Sequence, residues 1–130
     1  YDTVRLPIRP LATADELRRD LVARGTEQLV RCLAGPLPEP TPQVGEPVYA
    51  AKIRPEELRI DWARPAAELE RLVRLGGAWT TFRDKRVKVL AAAIEGDALV
   101  PTRVQPEGKG PMRAADFLRG ARPAPGETFS

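Results

Sequence analysis

Five prolines lie close together in the first half of the chain and restrict its fold more than any other feature. They are Pro36, Pro38, Pro40, Pro42 and Pro47. Because proline fixes φ and lacks an amide hydrogen, this stretch can form neither a regular helix nor a central strand. The spacing predicts a stiff linker over residues 36–49, which separates residues 1–35 from residues 50–130. The alternative is a proline-rich ligand for an aromatic groove of another protein.

The segment before the linker is predicted to contain one strand and one helix. Residues 3–8 alternate apolar and polar side chains, as in a strand, and Pro7 places that strand at a sheet edge. The helix begins after Thr13, because Thr13 and Glu16 have the spacing of a capping box, and it ends at Gly35.

One face of this predicted helix is apolar. Its residues are Leu17, Leu21, Val22, Leu29, Val30 and Leu33. Since an exposed apolar stripe marks an interface, we expect the helix to pack against the second half of the chain or against another copy, as a homodimer through residues 3–34. Gly25 weakens the middle of the helix, where we expect a bend or break.

The segment after the linker is predicted to be mainly β with flanking helices, an α+β fold. The elements are a helix over residues 65–75, strands over 78–82, 86–91 and 99–104, and a short helix over 114–119. Gly76 ends the first of these helices. The strands over 78–82 and 86–91 form a hairpin, and Asp84 can adopt the backbone conformation that its turn needs. Alternation along the second strand directs Val87 and Val89 to the core and Arg86 and Lys88 to solvent.

The aromatic residues of this segment have two interpretations. Trp62, Trp79 and Phe82 could stack on nucleic-acid bases, as aromatic residues do in single-strand binders. Core packing is favoured, because each lies at an apolar position that defines an element.

Composition excludes several kinds of active site. The 130 residues include one cysteine and no histidine, so neither a zinc site, a Cys-His nucleophile nor a Ser-His triad can be assembled. We therefore expect no catalytic, cofactor-binding or metal-binding residue.

The net charge is +3, and the excess of positive charge lies after residue 49, where it favours a polyanionic partner. No apolar run is long enough to cross a membrane, so a cytoplasmic protein without a membrane partner is expected.

Three strings in the second half carry a family resemblance. They are residues 49–62 (YAAKIRPEELRIDW), 77–89 (GAWTTFRDKRVKV) and 104–120 (VQPEGKGPMRAADFLRG). Together they resemble the C-terminal third of the methionyl-tRNA formyltransferases, and shorter matches at residues 13–17 and 41–43 extend the resemblance backwards.

The resemblance implies a small OB-like β-barrel that binds tRNA, preceded by the terminal strand and helix of the formyltransferase domain. Family members transfer a formyl group from 10-formyltetrahydrofolate to the amino group of methionine on initiator tRNA. Their Asn, His and Asp catalytic residues belong to an N-terminal domain that is missing here, so residues 1–130 by themselves are expected to be inactive. Only five residues lie between Ala93 and Leu99, where the family has more, which indicates a shortened barrel.

The candidate tRNA-binding residues are basic. They are Lys52, Arg54, Arg59, Arg83, Lys85, Arg86, Lys88 and Lys109. The resemblance places Lys52 on the motif of lysines near the linker that hold tRNA between the two family domains, and the hairpin cations suit phosphate contact. For Arg59, pairing with Glu56, Glu57 or Asp61 is the alternative, and for the hairpin it is simple solvation.

Two other functions remain open. Sugar-nucleotide formyltransferases have a related C-terminal domain without an RNA surface. Alternatively, the chain is an interaction or dimerisation module whose charge is incidental.

Overall fold

The computed structural model describes residues 1–130 and divides them into two compact units, Tyr1–Lys52 and Ile53–Ser130. The first unit contains one helix, and the second contains the sheet and the remaining helices. None of the helices has the length and apolar character needed to cross a lipid bilayer.

Helix α1, Ala14–Leu33, forms most of the first unit. Its predicted capping box is confirmed, since the Thr13 hydroxyl accepts from the Glu16 amide at 3.2 Å while the Thr13 amide donates to the Glu16 carboxylate at 2.9 Å. The predicted break at Gly25 is wrong, because α1 is continuous through that residue. None of its side chains is buried, so its apolar face is not covered within this unit.

The strand predicted over residues 3–8 is wrong, because these residues have no regular structure. A strand needs a neighbour for its backbone hydrogen bonds, and the first unit contains no other strand. Residues 36–49 also form neither helix nor strand, as their prolines require.

The second unit is built on four antiparallel strands in the order β1-β2-β3-β4. The strands are β1, Trp79–Phe82; β2, Lys85–Glu95; β3, Ala98–Pro106; and β4, Met112–Arg113. A 3₁₀ helix, Pro55–Leu58, and helix α2, Ala66–Leu75, precede the sheet, and helix α3, Ala114–Ala121, follows it. The predicted α+β class is confirmed.

The predicted barrel is not closed. β2 and β3 are joined directly by a tight turn at Gly96 and Asp97, which leaves no residues there for a further strand. The outer edge of β1 pairs with Arg59 and Ser130 instead of β4. The fold is therefore an open four-stranded sheet with α2 and α3 packed on one face.

The core lies on that covered face and consists of two apolar clusters. Leu69 and Val73 of α2 pack with Val89 and Leu99. The second cluster joins Phe82, Val87 and Val104 to α3. Val87 and Val89 are each only 1% exposed, which confirms the predicted alternation along β2.

The last residues, 122–130, form a segment that we call the C-terminal strap. Phe129 joins an aromatic cluster, with ring centroids 5.8 Å from Phe82, 6.0 Å from Phe117 and 6.3 Å from Trp62. Ser130 and Thr81 exchange two backbone hydrogen bonds, of 2.8 and 2.9 Å. The strap thus covers the second cluster and pairs with β1.

Candidate nucleic-acid interface

The sheet face opposite the core, called the open face below, carries a group of cations of the second unit that form no ion pair. Residues directly opposite each other on antiparallel strands have side chains on the same face. The register pairs Trp79 with Lys88, Thr81 with Arg86, Lys88 with Gln105 and Arg103 with Arg113. The strand side chains on the open face therefore include four cations: Arg86, Lys88, Arg103 and Arg113.

No carboxylate of the chain neutralises these four cations. All four are exposed, and none takes part in an ion pair of the chain. The strands place no carboxylate among them. The cations lie on β2, β3 and β4. Since adjacent strands lie about 4.8 Å apart, these three strands spread the charge over about 10 Å.

Arg103 and Arg113 form a cross-strand pair of like charge. Such a pair destabilises a sheet unless an anion lies close to it. Neither residue was among the sequence candidates, because they belong to different strands whose pairing was not predicted. The alternation of Arg103 with buried Val104 is the signal that could have identified the first of them.

Trp79 lies on the open face between two arginines, so its predicted place in the core is wrong. The Arg86 Cζ is 4.2 Å and the Arg59 Cζ 5.6 Å from the centre of its ring. Its indole N–H donates to the Pro55 carbonyl at 2.8 Å, which fixes the ring near the 3₁₀ helix. Trp62 and Phe82, by contrast, pack in the core as expected.

Arg59 contacts Trp79 and forms no ion pair with Glu56, Glu57 or Asp61. Its guanidinium therefore remains available at the edge of the open face. Arg59, Arg86 and Lys88 are the sequence candidates that the structure brings together there.

Arg83 is placed differently, because it is neutralised by the C-terminal strap. Its Nε and Nη2 donate to the two carboxylate oxygens of Glu127 at 2.6 and 2.7 Å. Hydrogen bonds from Arg83, with a smaller contribution from the Ala124 amide, lower the pKa of Glu127 from 4.5 to about 2. The same contact raises the pKa of Arg83. Arg83 thus holds the strap in place.

The remaining candidates lie outside the open face. Lys85 and Lys109 line a separate cleft of about 250 Å³ beside the β1-β2 hairpin. Arg54 precedes the 3₁₀ helix, with its Nε 3.8 Å from the Glu57 carboxylate. Lys52 is exposed at the end of the first unit. No group of three or more His, Cys, Asp or Glu side chains could hold a metal ion.

Comparison with known proteins gives consistent matches. Residues 52–98 match the family described as "Formyl transferase, C-terminal domain". The chain is 36% identical to the methionyl-tRNA formyltransferase of Parafrankia sp. (strain EAN1pec), over 100% of this chain and 52% of that protein. It is 38% identical to the methionyl-tRNA formyltransferase of Thermobifida fusca (strain YX), over 99% of this chain and 52% of that protein.

The chain spans about half the length of these curated relatives. The two alignments extend over 166 and 160 residues, compared with 130 in this chain, so this chain lacks residues that both relatives have within the matched region.

Proposed function

The chain belongs to the formyl transferase family as its C-terminal part, and from that premise we propose that it is the tRNA-binding part of a methionyl-tRNA formyltransferase. The whole enzyme would transfer a formyl group from 10-formyltetrahydrofolate to the amino group of methionine on initiator tRNA. Residues 1–130 would hold the tRNA, while the rest of the enzyme would supply the formyl donor site and the chemistry. This role places the protein in the cytoplasm, where translation is initiated.

The observation that carries the proposal is the open face with its four free cations. The Arg103–Arg113 pair is the most specific part of it, because placing two like charges opposite each other costs stability in the absence of an anion. A polyanion that crosses the sheet would remove this cost. Arginine suits the role, since its planar guanidinium donates two parallel hydrogen bonds to a phosphate.

The mode of binding follows from the kind of side chain. Contacts between cations and phosphates supply affinity and position but carry little sequence information. Arg59 and Lys88 would extend the surface on the β1-β2 side, and Lys52, Arg54, Lys85 and Lys109 would add contacts outside the open face. We therefore expect the chain to bind initiator tRNA and other tRNAs with similar affinity.

The first test is a titration of the chain with initiator tRNA and with an elongator tRNA at low and raised salt. Binding should weaken steeply with salt and differ little between the two RNAs. Absence of binding even at low salt would remove the proposal and favour an interaction module.

Charge variants locate the surface. Arg103→Gln should weaken the binding of both tRNAs. It should also reduce the salt dependence of the binding constant by the equivalent of about one phosphate contact. The same change should leave the melting temperature equal or higher, because it relieves the repulsion with Arg113. Arg71→Gln is the matched control, since Arg71 is an exposed arginine of α2, on the opposite side of the sheet. Equal losses in both variants would exclude the open face as the binding surface.

A further inference from the structure

A shallow cleft of about 280 Å³ lies where β2 and β3 meet the turn that follows β3. It is lined by Arg86, Lys88, Gln105, Pro106, Glu107 and Gly108. It differs from the rest of the open face because it includes a carboxylate, that of Glu107, beside the cations. A surface that bound only phosphate would gain nothing from a negative charge at this position.

The Glu107 carboxylate has no ionic partner, although Arg86 is its neighbour across the strands. The Glu107 amide donates to the Arg86 carbonyl at 3.1 Å, which fixes the two residues side by side. The Arg86 guanidinium instead lies over Trp79, and no ion pair of the chain includes Glu107. The carboxylate is therefore free to accept hydrogen bonds from a ligand.

The other groups of the cleft are also held in place. Gln105 donates through Nε2 to the Lys109 carbonyl at 3.0 Å, which fixes its carboxamide and leaves its oxygen as an acceptor. Lys88 is exposed directly opposite Gln105. The cleft thus combines a cation for phosphate, a guanidinium plane supported by an indole, and two acceptors.

We infer that this cleft binds one unpaired nucleotide of the RNA and selects guanine, an inference that rests on the proposed function. Lys88 binds the phosphate, and the base stacks on the Arg86 guanidinium, as bases do on arginine planes in single-stranded RNA recognition. Glu107 accepts hydrogen bonds from the Watson–Crick edge of the base.

The preference for guanine follows from hydrogen-bond chemistry. An ionised carboxylate only accepts hydrogen bonds, and it has two oxygens. Guanine has two adjacent donors on its Watson–Crick edge, N1–H and the N2 amino group, which fit both oxygens at once. Adenine, cytosine and uracil each have a ring or carbonyl acceptor next to their donor, so one carboxylate oxygen would meet a lone pair.

The test uses the full chain and four short RNAs, hexauridylate and the same oligomer with one uridine replaced by guanosine, adenosine or cytidine. Affinity is measured at low salt from the quenching of tryptophan fluorescence. The guanosine oligomer should bind about ten-fold more tightly than hexauridylate, the discrimination expected of one bidentate pair.

Glu107→Gln should weaken guanosine binding about ten-fold without weakening hexauridylate binding, since it removes a negative charge near phosphate. Unfolding of the variant would weaken the binding of both oligomers. A loss confined to the guanosine oligomer therefore distinguishes base recognition from a folding defect. Glu95→Gln is the control, because Glu95 is an exposed glutamate at the far end of β2. Equal affinity for the four oligomers, or a guanosine preference that persists in Glu107→Gln, would overturn the inference.

A parallel titration with initiator tRNA separates this inference from the function on which it rests. A preference for guanosine without tRNA binding would support the inference about the cleft and contradict the proposed function. Binding of tRNA without discrimination among the oligomers would contradict the inference about the cleft and would be consistent with the proposed function.

Discussion

The pair of Arg83 and Glu127 links the charge of the β1-β2 hairpin to the position of the C-terminal strap. Two short hydrogen bonds join the guanidinium to the carboxylate, and the Ala124 amide adds a third bond to Glu127 at 2.8 Å. Charge-assisted bidentate contacts of this kind are stronger than neutral hydrogen bonds. The hairpin therefore uses one of its cations to hold the strap, and the others remain for a ligand.

The lowered pKa of Glu127 makes the stability of the strap depend on pH. Since the folded-state pKa of about 2 lies below the ordinary 4.5, the contribution of this carboxylate is complete above pH 4.5 and is lost as pH falls through about 2. We expect Glu127→Gln to lower the free energy of unfolding at neutral pH, and the difference from wild type to shrink over this acidic range. Chemical denaturation at a series of pH values measures both. A difference that stays constant with pH would contradict the assignment, and Glu95→Gln serves as the exposed, unpaired control.

Alternation along β2 was enough to predict the directions of Val87, Val89, Arg86 and Lys88, because the period of a strand is fixed by its geometry. Trp79 was assigned to the wrong face for a different reason. A large aromatic side chain usually lies in a core, and the sequence does not show that Arg59 and Arg86 cover this one. The contacts of a residue with distant partners need the tertiary structure.

At the scale of the element, the β1-β2 hairpin depends on an unusual turn. Its two central residues, Arg83 and Asp84, have φ values of 50° and 61°. Positive φ at both positions is the geometry of a type I′ turn, whose twist matches that of the flanking strands. The predicted turn had one residue more, but Lys85 belongs to β2 and pairs with Phe82. Because neither residue is glycine, their positive φ values strain the backbone and lower the stability of the hairpin.

Asp84→Gly should stabilise the second unit by about 0.5–1 kcal/mol, because glycine adopts positive φ without the steric cost of a Cβ atom. Thermal unfolding of the second unit measures the change. Asp97→Gly is the matched control in the neighbouring β2-β3 turn, where Asp97 does not have a positive φ. There glycine only raises the entropy of the unfolded chain, so a small loss of stability is expected. A gain of the same size in both variants would show that the effect does not come from positive φ.

Elements with local signals were predictable, and those that depend on distant partners were not. The capping box of α1, the stop at Gly76 and the hairpin follow from neighbouring residues. The strand expected over residues 3–8 does not form, since its backbone would need a partner that the first unit lacks. The barrel that the resemblance implies also does not close, and the turn at Gly96 and Asp97 leaves no residues between β2 and β3 for a further strand.

At the scale of the molecule, the two units differ in how they are stabilised. Both core clusters lie in the second unit, between Ile60 and Phe129. In the first unit, α1 buries no side chain and Leu21, Val22 and Leu29 are 52–60% exposed. Most helical stability in proteins comes from packing of the apolar face, so α1, whose apolar face is not covered, is expected to be less stable than the second unit.

Native-state hydrogen exchange should therefore separate the units. The amides of Val87, Val89 and Val104 should exchange only through unfolding of the whole second unit, whereas those of α1 should exchange through local opening at far lower free energy. Protection of α1 equal to that of the sheet would contradict this expectation and would mean that another surface covers its apolar face. Repeating the measurement at several protein concentrations then identifies that surface, since protection that falls on dilution requires a second copy of the chain.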